Sequence, residues 1–245
     1  MSIRAIAYYG RVKITEAMTS LVIAAALAPS AMAQKADAPR VSATDTYFLS
    51  CTVWTGRDWT EFTERSARTQ LAVSPNGLRA YGEVNVSVKD KHCQNTTTLN
   101  VAPGIGQPFK LVYTNHSAYS DGNGIRVIGW SPSGKKLVSD VNLWEYETDR
   151  GYSHVTVIYD SLSDSTKEIP ALDEAVYHYF GPNCEFELVV TGWKTDDQIL
   201  VKVIRTPKTD QYPQHFCVTQ PRIFVFDLST KVLRAESQSR VGKKP

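Results

Sequence analysis

Trp130-Ser-Pro-Ser-Gly-Lys-Lys-Leu137 is an extended run that breaks at a tight turn and resumes at once. Pro132 fixes its own φ, and Gly134 supplies the left-handed position that closes the turn. Leu71-Ala-Val-Ser-Pro-Asn-Gly-Leu-Arg-Ala80 has the same construction, with Pro75 and Gly77 in the two roles. Ser74 precedes Ser131 by 57 residues. A third, degenerate copy is Val190-Thr-Gly-Trp-Lys-Thr-Asp-Asp-Gln-Ile199, whose Gly192-Trp193 follows Gly129-Trp130 by 63 residues. A later strand recurs as well. Val155-Thr-Val-Ile-Tyr-Asp160 and Arg222-Ile-Phe-Val-Phe-Asp227 both end in aromatic-Asp, followed by a polar turn and a short last strand. A unit of this kind cannot bury both sheet faces by itself, so its copies must stack.

The rest of the chain agrees with an all-β fold. Extended segments are read at Tyr47–Val53, 71–73, 78–84, 97–101, 109–114, 125–130 and 136–140. Others follow at 155–159, 167–169, 185–191, 199–205, 222–226 and 231–235. Several alternate apolar and polar residues with period two, which suits half-buried antiparallel strands. Helix is confined to two weak candidates, Asp58–Arg68 and Leu172–Tyr179. The expectation is a single domain over 45–236, built as antiparallel meanders; a β-sandwich is the alternative.

Trp130–Leu137 resembles the W-S-P-D-G-K-K-L hairpin of TolB-like and WD-repeat-like β-propeller blades. Val157-Ile-Tyr-Asp160 and Phe224-Val-Phe-Asp227 are similar to the third strand of such blades. The resemblance covers roughly residues 68–236 and implies a propeller-like stack that makes protein–protein contacts. Asn76 and Ser133 stand where the family usually has Asp, and the turn of the third copy has neither Pro nor Gly. Three copies are visible, whereas closed rings have four to eight blades. Three blades, a small ring and an open stack all stay open at this point.

Residues 1–33 read as a signal peptide. Arg4, Arg11 and Lys13 form a basic start, Leu21–Ala28 a short apolar run, and Ala31-Met-Ala33 a cleavage site. Residues 34–44 are a polar lead-in, and 237–245 a basic tail. Without residues 1–33 the chain carries 24 basic and 24 acidic residues. That balance argues against nucleic acid or an anionic membrane as partner. No apolar run is long enough to span a bilayer after cleavage. Localisation is expected to be periplasmic or extracellular.

Four cysteines fit export. The favoured pairs are Cys51–Cys93 and Cys184–Cys217, each within one local unit, although four cysteines allow three connectivities. A zinc set of His178, Cys184, His215 and Cys217 lacks the usual ligand spacing. No cofactor is expected.

No catalytic motif emerges. Gly129-Trp-Ser-Pro-Ser-Gly134 misses the nucleophile-elbow spacing by one residue, so Ser131 reads as a turn residue. Asp121-Gly-Asn-Gly124 reads as a tight turn rather than a calcium loop. The carboxylate pairs Glu145/Glu147 and Glu185/Glu187 each share a strand face. Asn85, Asn95 and Asn115 begin N-glycosylation sequons. Trp54, Trp59 and Trp144 lie outside the repeats. Three functions fit these observations. The favoured one is an exported non-catalytic binding or scaffold module that contacts another envelope or secreted protein. The others are a glycan-binding module using exposed Trp and a hydrolase with a dispersed site.

Overall fold

The computed structural model describes residues 49, 64–89, 92–117, 121–145, 153–205 and 215–236. Its described residues form three antiparallel sheets and one helix. Sheet 1 contains β1 (Arg65–Arg68), β2 (Ala72–Val73), β3 (Arg79–Lys89), β4 (His92–Ala102) and β5 (Lys110–His116). Its order is β1-β3-β4-β5, with β2 paired to β3. Sheet 2 is a meander of β6 (Asp121–Trp130), β7 (Lys136–Glu145), β8 (Ser153–Asp160) and β9 (Ser165–Glu168). Helix α1 (Ala171–Phe180) follows. Sheet 3 is a second meander: β10 (Glu187–Thr195), β11 (Gln198–Ile204), β12 (Arg222–Asp227) and β13 (Leu233–Ala235). The all-β expectation holds at this level.

Alternation along the strands decides what each face meets. Ala80, Val84 and Leu99 of sheet 1 pack with Ile125, Leu137, Val141 and Val157 of sheet 2. The opposite face of sheet 2 offers Val138 and Ile158 to a second core with Val201, Phe224 and Phe226 of sheet 3. Leu172, Ala175 and Val176 of α1 close that core. Sheet 2 is therefore the middle layer, buried on both faces.

The three repeated hairpins form a staircase. Gly77 and Gly134 take φ of 82° and 71°, and each donates its N–H to the serine three residues earlier, Ser74 and Ser131. These are the turn roles read for Pro75-Gly77 and Pro132-Gly134. In the third unit Asp196-Asp197 make the turn, and Thr195 pairs directly with Gln198. Trp130 Nε1 donates to the Ala72 carbonyl at 3.2 Å, and Trp193 Nε1 to the Gly129 carbonyl at 2.9 Å. Ala72 and Gly129 occupy the same position in successive units, so one hydrogen bond joins each unit to the one before. Asn76 Nδ2 donates to the Ser133 carbonyl at 2.6 Å, and the Ser133 N–H donates to Asp196 Oδ1 at 2.9 Å. The later repeat is also real in geometry. Asp160 Oδ1 accepts from the N–H of Leu162, and Asp227 Oδ1 from those of Ser229 and Thr230, so each capping Asp turns the chain after its strand.

Two glycines of the staircase should respond differently to a methyl group. A Cβ on Gly134 would lie 3.0 Å from Asn76 Nδ2 and 3.1 Å from Pro75 Cδ, whereas one on Gly77 meets nothing within 4 Å. Both substitutions carry left-handed strain of about 1–2 kcal/mol. Gly134→Ala should therefore lower Tm more than Gly77→Ala, and equal shifts in a thermal melt would refute the stacking of the two turns.

Three readings need correction. Arg65–Arg68 is a strand, not the end of a helix: Ala67 alternates into the core while Arg68 pairs across to Glu83. The remainder of that candidate, 58–63, lies outside the described residues. Asp121–Gly124 begins β6 rather than forming a turn. Its glycine is needed for close approach, since a Cβ on Gly122 would lie 2.2 Å from the Trp144 ring. The extended reading at 185–191 starts two residues early and stops four short of the end of β10. Helix α1, by contrast, lies where 172–179 was read.

Candidate functional site

The residues singled out in the sequence serve the architecture. Pro75 and Pro132 are exposed at turn corners, Gly134 is buried against the preceding turn, and Trp130 and Trp193 are half-buried at unit boundaries. Ser131 is 1 % exposed, and its Oγ accepts from the Lys136 N–H at 3.2 Å, which is a turn function. Cys184 and Cys217 form a disulfide, so they are not available as zinc ligands. His215 Nδ1 lies 3.2 Å from the Asn183 carbonyl. Cys93 is disulfide-bonded; Cys51 lies outside the described residues. Among the described residues no three His, Cys, Asp or Glu side chains are grouped to hold a metal ion, and no helix is long and apolar enough to cross a membrane.

Two buried polar groups brace the strands, one between sheets 1 and 2 and one within sheet 2. Asn95, Thr97 and Asn123 are fully buried between sheets 1 and 2. Asn95 Nδ2 donates to the Leu49 and Asn123 carbonyls, and Thr97 Oγ1 to Asn123 Oδ1 at 2.9 Å. That burial leaves no room for a glycan on Asn95; Asn85 is exposed. On the other face of sheet 2, Asp140 is 1 % exposed. It accepts from Arg126 Nη2 at 3.1 Å and from Thr156 Oγ1 at 3.4 Å. Desolvation pushes the Asp140 carboxyl above its ordinary range, opposed by His154 and Arg126. Glu185 and Glu187 are both solvent-exposed, and the side chains of Glu145 and Glu147 lie outside the described ones. Trp144 covers Gly122 and is half-buried, while Trp54 and Trp59 lie outside the described residues.

The surface with most chemistry is the outer face of sheet 1. Register aligns Arg68, Glu83, Thr98 and Thr114 in one row and Tyr81, Asn100 and Leu111 in the next. Arg68 lies over the Tyr81 ring at 5.0 Å and meets Glu83 at 3.3 Å. Tyr81 meets Phe109 edge-on at 4.7 Å, and Arg79 lies over the Phe109 ring at 5.0 Å. Arg79 Nη2 also donates to the carbonyls of Gly104 and Gln107, at 2.6 and 3.2 Å, so one side chain shapes the loop that presents Phe109. Phe109, Leu111 and Ile105 are 36, 53 and 89 % exposed. Arginine stacked on aromatics, with open aliphatic neighbours, is the composition enriched where proteins bind one another. None of these residues was singled out in the sequence. The available signal was Arg79 and Glu83, polar residues where the second unit has Leu137 and Val141 at the corresponding positions.

No family model matches the chain, and no curated protein matches it. Among solved structures, a variant of the AtxE2 isopeptidase with Astexin3-dC4 bound is similar with a TM-score of 0.40 at 14 % identity. The match covers 72 % of this chain and 30 % of that one, so this chain spans under a third of the protein it matches. The Cys184–Cys217 disulfide is compatible with an oxidising location such as the periplasm or the cell exterior.

Proposed function

We propose that this protein is an exported, non-catalytic binding module whose three stacked units are propeller-like blades and whose work is protein–protein contact in the cell envelope. The consecutive, antiparallel order of strands in sheets 2 and 3 supports the blade reading. The staircase of equivalent hydrogen bonds between units supports it too. The observation that carries the functional reading is the Arg68–Tyr81–Phe109–Arg79 cluster on the outer face of sheet 1. Rigid aromatics flanked by arginine contribute most of the affinity where such faces bind.

The test is a pull-down of the oxidised protein from an envelope extract of the source organism, followed by titration of any captured protein. A stoichiometric partner is expected, with Kd raised at least about tenfold by Phe109→Ala or Leu111→Lys. A partner that binds these variants as tightly as the parent, or a clean blank, would remove this reading.

A further inference from the structure

The sequence contains two Asn-Gly pairs, Asn76-Gly77 and Asn123-Gly124. Such a pair is where a chain most readily loses a side-chain amide. Glycine sets no Cβ against the approaching backbone nitrogen and lets the backbone rotate to bring it in. The fold puts the two pairs in opposite situations. Asn123 lies within β6, fully buried and paired across to Leu143. Its Oδ1 accepts from Thr97 Oγ1 at 2.9 Å, and its Nδ2 donates to the Asn115 carbonyl at 3.0 Å and to Asn115 Oδ1 at 2.6 Å. Freeing it requires a buried strand to leave its sheet. Asn76 is exposed at the corner of the first hairpin, and a Cβ on Gly77 would meet nothing within 4 Å. The Gly77 N–H is held by the Ser74 carbonyl at 3.0 Å, so the turn must open before that nitrogen can react. Opening an exposed corner costs far less than parting a buried strand.

We propose that Asn76 is a site of spontaneous deamidation, and that its conversion loosens the first unit from the second. The Gly77 nitrogen gives up its proton and attacks Asn76 Cγ. A bond from that nitrogen to Cγ forms, the Cγ–Nδ2 bond breaks, and ammonia leaves carrying the proton. Water then opens the cyclic imide at either carbonyl, giving an aspartyl or an isoaspartyl residue. Nothing is oxidised or reduced, and water is the only co-reactant. The change falls at a joint. Asn76 Nδ2 donates to the Ser133 carbonyl at 2.6 Å and lies beside Gly134 in the next turn. An aspartyl product turns a carboxylate oxygen toward that carbonyl, so acceptor faces acceptor and a hydrogen bond becomes a repulsion. An isoaspartyl product adds a methylene to the backbone of a turn whose shape Pro75 and Gly77 otherwise fix. The bond from Trp130 Nε1 to the Ala72 carbonyl is untouched, so the units are loosened rather than separated.

Peptide mapping of the folded, oxidised protein held in mildly alkaline buffer tests this. Tryptic peptide 69–79 carries Asn76, and peptide 111–126 carries Asn123. Peptide 69–79 should gain about 1 Da at Asn76 at least about tenfold faster than peptide 111–126 does at Asn123. In urea the two rates should converge, because both pairs have the same local chemistry once the fold is gone. Asn76→Asp should melt below the parent and below Asn76→Ala, which loses the donor without adding a charge. If Asn76→Asp misfolds, the deamidated fraction of aged parent protein, separated by ion exchange, gives the same comparison. Equal rates at Asn76 and Asn123 in the folded protein overturn the site. So does an Asn76 that survives in the folded protein while both residues react in urea. A deamidated or Asn76→Asp protein that melts at or above Asn76→Ala overturns the loosening.

Discussion

Replacing Phe224 with Ala should destabilise the protein by about 3–5 kcal/mol, a large part of the 5–15 kcal/mol that holds an ordinary domain folded. Phe224 is fully buried on β12 and meets the rings of Tyr179 and Phe180 edge-on at 5.2 and 5.4 Å. It therefore joins sheet 3 to helix α1 within the core shared with sheet 2. The substitution removes the transfer free energy of a phenyl ring and two oriented ring contacts, and it leaves a void that rigid strands cannot close. Urea denaturation would show the loss as a lower midpoint at nearly constant slope. Ile105→Ala, at an 89 % exposed position, should stay within about 0.5 kcal/mol of the parent. A Phe224→Ala loss below about 1 kcal/mol would mean that α1 does not pack on sheet 3 as described.

The hairpins were legible because their chemistry is local. Proline and a left-handed glycine, at a fixed distance from each other, leave few alternatives to a turn. The polar turns after Asp160 and Asp227 carried the same kind of signal; the structure adds that each carboxylate accepts from N–H groups two and three residues on. The errors have a different origin. Asp121-Gly-Asn-Gly124 looks like a turn because glycine and asparagine favour turns in isolation. Here the glycine makes way for the Trp144 ring, and Asn123 turns into a network with Asn115 and Thr97, contacts that local spacing does not encode. Strand β1 was missed because one apolar residue, Ala67, is all that marks its buried side.

The interaction face was missed for a related reason. Arg79 and Tyr81 are unremarkable one at a time, and Phe109 joins them only because the Arg79 guanidinium bends the loop between β4 and β5. The signal that survives in one sequence is comparative. Once the repeats are aligned by strand register, a unit whose outward positions turn polar, as Arg79 and Glu83 do against Leu137 and Val141, is an end unit. Internal repetition thus lets a single chain report on its own interfaces.

Replacing Cys184 and Cys217 together by Ser should remove about 4 kcal/mol of stability. The bond closes a 33-residue separation, and a loop of that length restricts the unfolded chain by about that amount on the entropy argument. The tether reaches from the lead-in to edge strand β10 across β11 to the lead-in of β12. Two backbone hydrogen bonds lie at the same point, Glu185 N–H to the His215 carbonyl at 2.7 Å and Cys217 N–H to the Glu185 carbonyl at 3.0 Å. They are exposed to fraying once the covalent link is gone, so hydrogen exchange should accelerate first at Glu185 and Cys217 and then along β10. Equilibrium unfolding of the double-Ser variant checks the magnitude. A loss near 4 kcal/mol would make the fold dependent on an oxidising compartment, in keeping with the proposed export. A loss below about 1 kcal/mol would mean that the three-stranded pairing of β10, β11 and β12 already restrains the loop, and that the disulfide adds little beyond it.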